Sequence, residues 1–283
     1  MIVFGGVVLV KKSLNFYLIS NLIVCLIFTV FLVSVRTYQI INFVDYRTGF
    51  YNGPDYLNYC FFGGIILLAL TLFIISFVCF KDIVVDLSSN ILLKVMSVFV
   101  AMFSALYSFF IIFNVRNYDV KDMTIPIFLF IANILLSVGF IYLSFRLGRP
   151  DGSDHYSNIL LLFPALWACI RLVSIFVNNM IMFSVQENAL NVLKSCSICV
   201  FLFYMSKFFA GFCSKATNRN MIVTGFLSVC LIFCSALPRY IVSFISSLTA
   251  SYYLNVSDLV SLDFFLSIFI LMFLFSCVLQ LKK

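Results

Sequence analysis

Tyr59–Phe80 reads YCFFGGIILLALTLFIISFVCF, and not one of its side chains is charged. A helix crosses the hydrocarbon core of a bilayer in roughly 20 apolar residues, so this stretch is long enough to span by itself. Working outward, seven further stretches of the same kind occur. They are Leu14–Val35, Val95–Val115, Met123–Phe145, Asn158–Val177, Ala189–Phe212, Met221–Phe244 and Phe264–Leu281. Over all 283 residues, 64% are hydrophobic and 10% charged, and mean hydropathy is +1.15. Soluble domains average about a quarter charged residues and under half apolar. The expected fold class is therefore all-α, a polytopic transmembrane helix bundle of about eight spans. Barrel strands alternate apolar and polar residues over about 10 positions, and these continuous runs do not. The longest gap, Arg36 to Asn58, leaves no room for a soluble domain, so residues 1–283 read as a single integral membrane domain. Met1–Val10 is apolar but too short to cross, and Leu14–Val35 reads as an uncleaved signal anchor.

Lysine and arginine in short loops set the orientation of such chains. With the N-terminus inside, the cytoplasmic flanks hold Lys11, Lys12, Lys81, Lys94, Arg146, Arg149, Lys207, Lys215, Arg219, Lys282 and Lys283. The outer flanks hold Arg36, Arg47, Arg116 and Lys121. Eleven against four places both termini in the cytoplasm. The formal charge of +7 is thus a topology signal, and because the basic residues are scattered, it does not read as a nucleic-acid surface.

Matching fragments suggest an internal duplication. Phe103-Ser-Ala-Leu106 recurs as Cys234-Ser-Ala-Leu237, Leu57-Asn58 as Leu190-Asn191, Phe43-Val44 as Phe176-Val177, and Asn90-Ile91 resembles Asn220-Met221. The offsets agree closely, which points to repeats over 11–150 and 151–283 arranged as a 4+4 parallel tandem. Repeat-built transporters bind substrate at the repeat interface; the alternative is that duplication merely enlarged the bundle.

Most of the ten cysteines fall inside spans and read as small packing residues. Cys196-Ser-Ile-Cys199 has C-x-x-C spacing, but no second pair or histidine accompanies it, so no metal site is expected. Free thiols in this number favour a plasma membrane over an oxidising secreted setting. In the first outer loop, Asn52-Gly53-Pro54 is turn chemistry, and Tyr46, Tyr51, Tyr56 and Tyr59 suit an interfacial belt. Pro238 and Pro164 are expected to kink their spans. Gly63-Gly64 and Ala210-Gly211 read as sites of close backbone approach, and Asn133, Ser104, Ser137 and Ser235 as interhelical hydrogen-bonding residues. Asn255-Val-Ser257 fits a glycosylation sequon.

The chemistry rests on charges within the bilayer. An Arg or Lys at a helix centre costs about 2.5–3.5 kcal/mol on insertion scales, so such residues face the interior and find partners. Arg171, Lys194 and Arg239 qualify, and all three fall in the outer half of the membrane. The acids at similar height are Glu187, Asp258 and Asp263. One reading is a shallow site for an anionic solute or lipid headgroup, with a guanidinium as a bidentate clamp. The other is internal ion pairing, Arg171 with Glu187 or Asp263, with Lys194 and Arg239 snorkelling to the interface. A proton relay is not supported, since the sole histidine, His155, lies in a loop. No cofactor is expected and no catalytic residue stands out. Zinc proteases need H-E-x-x-H, and an intramembrane serine or aspartyl centre would need a second acid or base. The function classes left are a small transporter-like or lipid/anion-binding protein with an outward-facing cationic site, and a non-transporting membrane scaffold or sensor acting through helix–helix partners. The expected partners are the lipid bilayer, an anionic solute or lipid headgroup, and a second copy of the chain.

Asp45–Phe50, Phe163-Pro-Ala-Leu-Trp-Ala-Cys-Ile-Arg171 and Ser235-Ala-Leu-Pro-Arg239 together resemble uncharacterised multi-pass integral membrane proteins of Gram-positive anaerobic bacteria. The resemblance implies a bacterial plasma-membrane location and carries no activity or site residue.

Overall fold

A computed structural model describes residues 3–44, 51–79, 91–115, 124–147, 155–179, 186–212, 214–245 and 262–280. These form eight α-helices: α1 (Val3–Phe43), α2 (Asp55–Cys79), α3 (Ile91–Val115), α4 (Thr124–Arg146), α5 (Phe163–Asn179), α6 (Gln186–Phe209), α7 (Lys215–Ile245) and α8 (Leu262–Gln280). A 3₁₀ segment, His155–Leu162, leads into α5. Seven helices are long and apolar enough to cross a membrane, and the eighth, over Leu262–Cys277, is apolar but shorter. Among the described residues there is no β-strand, only an isolated antiparallel bridge between Val44 and Tyr51. The chain is an all-α polytopic bundle, as its apolar runs require.

The first helix runs further than the apolar pattern suggested. It begins within the first ten residues and continues past Val35 to Phe43, so Arg36 is not in an outer loop but on a helix, with only 2% of its surface exposed. The turn after it is correspondingly short. The amide of Asn52 donates to the Phe43 carbonyl (2.8 Å), and the Tyr51 hydroxyl donates to the Pro54 carbonyl (3.0 Å). A side chain at Gly53 would meet the Tyr51 and Phe43 rings at 2.5 and 2.6 Å, which is why glycine stands there.

Two further expectations are revised. Pro164 does not kink the middle of a span; it is the second residue of α5, where a missing amide leaves no hydrogen bond unmade. Gly211 does not serve close approach, since a Cβ there would meet nothing within 4 Å; its φ of 86° ends α6. Phe212 N donates to Lys207 O (3.0 Å) and Gly211 N to Phe208 O (3.2 Å), a Schellman closure that needs a left-handed residue. Close approach does occur at the expected Gly64, where a Cβ would lie 2.9 Å from Leu32, and also at Gly139, where it would lie 2.7 Å from the Pro164 ring.

The helix α7 is central. It packs against α1, α2, α6 and α8, and Met221, Phe226, Cys230, Leu231, Ile232 and Cys234 are almost wholly buried. Pro238 lies inside it and removes the hydrogen bond to the Cys234 carbonyl. The face of α8 carrying Phe269 and Phe273 meets Phe140 (4.9 Å between centroids) and Phe201 (5.9 Å), edge to face. Other phenylalanines, among them Phe31, Phe109, Phe113 and Phe145, point outward, where a soluble protein could not place so many. Helices α3 and α4 are tied by Ser104 Oγ donating to Asn133 O (2.7 Å) and Ser137 Oγ to Ala101 O (2.9 Å). Trp167 of α5 donates to Asn133 Oδ1 (2.6 Å). Ser235, by contrast, turns back on its own helix, to Ile232 O.

Candidate functional site

Arg36 of α1, Arg171 of α5, Glu187 and Lys194 of α6, Arg239 of α7 and Asp263 of α8 gather at the end of the bundle where α1 stops and α2 begins. They form two nodes, each a single carboxylate held between two cations from different helices.

In the first node, Asp263 is 3% exposed and takes both partners. Its Oδ1 accepts from Arg171 Nη1, and its Oδ2 lies 2.8 Å from Lys194 Nζ. The Arg171 guanidinium also stands 5.1 Å above the Trp167 ring, and Trp167 is itself fixed by Asn133. The node therefore rests on α4, α5, α6 and α8 together. In the second node, Glu187 Oε2 accepts from Arg239 Nη2 (2.9 Å), while its Oε1 is 3.6 Å from Arg36 Nη2. Arg36 Nη1 donates to Gln39 Oε1 (3.2 Å) and to Gln186 Oε1, and the Phe61 ring lies 5.7 Å away. Gln39 passes the connection on, donating to the Leu57 carbonyl (3.0 Å). Helix α6 joins the nodes. Glu187 and Lys194 are seven positions apart, two turns or roughly 10 Å along one face.

All five of these sequence-predicted residues are thus engaged, Arg171 and Lys194 with Asp263 and Arg239 with Glu187. Arg171 meets Asp263 rather than Glu187. Lys194 and Arg239 do not extend to the interface alone; each holds a carboxylate. Asp258 lies outside the described residues. What the sequence reading missed is Arg36, with Gln39 and Gln186. The signal was present: Arg36 and Gln39 lie on one face three residues apart, and a helix running on to Phe43 would have carried them inward.

The other candidate chemistry is thin. Cys199 Sγ is 3.5 Å from Cys169 Sγ, across α5 and α6. No group of three metal-ligating side chains occurs among the described residues. No protein-family model, curated protein or solved structure matches this chain.

Proposed function

We propose that this integral membrane protein binds an anionic solute or lipid headgroup at the cationic end of its bundle, as a small transporter-like or lipid-binding protein. One observation carries the reading: four cations, Arg36, Arg171, Lys194 and Arg239, share two carboxylates, Glu187 and Asp263. Among the described residues the Asp263 node holds two cations against one acid, in a setting where inserting a single charge costs about 2.5–3.5 kcal/mol. Structural ion pairing alone calls for one cation per acid, whereas a bound anion completes the balance. With eleven of the loop and terminal lysines and arginines on one side, the positive-inside rule turns this end to the exterior and both termini to the cytoplasm of a plasma membrane. A 4+4 repeat would add a rationale: the boundary near residue 150 falls between α4 and α5, and the Glu187 node joins α1 of the first half to α6 and α7 of the second.

The test is the melting temperature of detergent-purified protein against anionic metabolites and phospholipids, wild type beside Arg171→Ala. Ligand at a hundredfold excess over Kd stabilises by about 2.7 kcal/mol through mass action, so a shift in the wild type that shrinks in the variant supports the site. No shift with any anion, together with a lower melting temperature of the unliganded variant, sinks the reading and favours a scaffold whose ion pairs are structural.

A further inference from the structure

Two thiols meet across the seam between α5 and α6. Cys199 Sγ lies 3.5 Å from Cys169 Sγ, near enough for side-chain rotation to bring the pair to the roughly 2.05 Å of a disulfide. Both cysteines are free, and both lie inside apolar spans, Ile159–Val177 and Gln186–Phe209. Cys169 is exposed and Cys199 partly buried, so the pair opens onto the outer surface of the bundle and not into its core. Leu166 and Val173 stand one turn to either side of Cys169, and Val200 and Phe203 follow Cys199 on α6; all four are exposed. In a bilayer that surface faces lipid. The thiols of Cys230 and Cys234 are placed differently. They lie 4.0 Å apart on one helix and are wholly buried, where no second molecule reaches them.

Opening to lipid limits what can react with the pair. A charged, hydrophilic oxidant loses its hydration on entering hydrocarbon, at a prohibitive cost. An oxidant that removed electrons alone would leave charge behind in the same medium. The pair therefore calls for an uncharged, lipid-dissolved acceptor of two electrons and two protons. We propose that Cys169 and Cys199 form a redox-active dithiol that a membrane quinone oxidises. The two S–H bonds break and one S–S bond forms; both electrons and both protons pass to the quinone, which leaves as the neutral quinol. The Phe203 ring offers the flat quinone an aromatic face to pack against. The new bond ties together the helices that hold the Asp263 node. Cys169 stands two positions from Arg171 and Cys199 five from Lys194, about 3 and 7.5 Å along the helix axes. The inference stands apart from the anion-binding reading, since it uses the charge of neither node.

The full chain in nanodiscs of phosphatidylcholine, reduced and kept free of oxygen, would be mixed with decylubiquinone, a short-chain membrane quinone. Maleimide-polyethylene-glycol labelling of the unfolded chain counts free thiols, absorbance follows the quinol, and peptide mass spectrometry locates the bond. Labelling is expected to be lost at two of the ten cysteines, with one quinol formed per disulfide and the bond joining Cys169 to Cys199. Cys169→Ser and Cys199→Ser each abolish quinol formation, whereas Cys60→Ser, at an exposed thiol on α2, leaves it unchanged. No quinol from the wild type overturns the proposal, as does a disulfide at any other pair. Closure in a sample without quinone, or equal closure by oxidised glutathione, overturns it too, because the oxidant then need not be a lipid-dissolved quinone. The disulfide is mapped on the wild type, so a variant that fails to fold does not obscure the result.

Discussion

Asp263 is the residue on which most depends. Its two oxygens balance Arg171 and Lys194 at once, so Asp263→Asn leaves two cations in a buried setting with no counter-charge. Breaking a buried pair by removing one partner costs about 3–5 kcal/mol, and chemical denaturation in detergent should show a loss of that order. Arg171→Ala should cost less, because Lys194 still faces the carboxylate. Asn21 presents the opposite case. It is fully buried in α1, and both its amide atoms lack a hydrogen-bond partner among the described residues. An unsatisfied buried polar group carries a penalty of about 1–3 kcal/mol, so Asn21→Leu is expected to raise the melting temperature. A fall would show that the amide has a partner in the working protein.

At the scale of elements, the decisive contacts are between helices that touch closely. Gly139 of α4 receives the Pro164 ring at the start of α5; a Cβ there would sit 2.7 Å from it, whereas one at Gly63 of α2 would meet nothing within 4 Å. Gly139→Ala should therefore destabilise by about 1–3 kcal/mol through overpacking, while Gly63→Ala is neutral or mildly stabilising, since glycine is a poor helix former. Equal effects of the two on melting temperature would refute this account of the α4–α5 seam. Helices α5 and α6 can be checked separately. With Cys169 Sγ 3.5 Å from Cys199 Sγ, a variant keeping only these two cysteines should form an internal disulfide under copper-phenanthroline oxidation, seen as a mobility change on a non-reducing gel. A variant keeping Cys169 and Cys196 should not. The thiol nearest Cys199 comes from the neighbouring helix α5, which the C-x-x-C spacing within α6 could not reveal.

At the scale of the whole molecule, the proposed topology puts both chain ends on the cytoplasmic side. Reporters fused at each end, one active only in the cytoplasm and one only outside, should both report cytoplasm, and a split result would remove the assignment of the cationic end to the exterior. Much of this level was legible from the chain alone. The solvent, the helix count and seven spans to within a few residues follow from runs such as Tyr59–Phe80, because crossing a bilayer is a local and additive matter of apolar length. Boundaries were less legible where polar residues sit on helices. The pattern broke at Arg36, yet α1 continues to Phe43 because Arg36 and Gln39 find buried partners that a local reading cannot see. The gathering of Arg171, Lys194, Glu187, Arg239 and Asp263 at one height was also readable, since height follows from position along each helix. Which cation meets which acid was not. Arg171 and Asp263 are separated by 92 positions, Arg36 and Gln186 by 150, and Arg239 and Glu187 by 52. Side chains so far apart in the chain share hydrogen bonds only once helix packing has chosen the neighbours. The chain by itself determined that charged residues would sit on the apolar helices, and at what level along each. Only the docking of α1, α5, α7 and α8 around α6 decided that each carboxylate would be shared by two cations, because that depends on the faces the helices turn to one another.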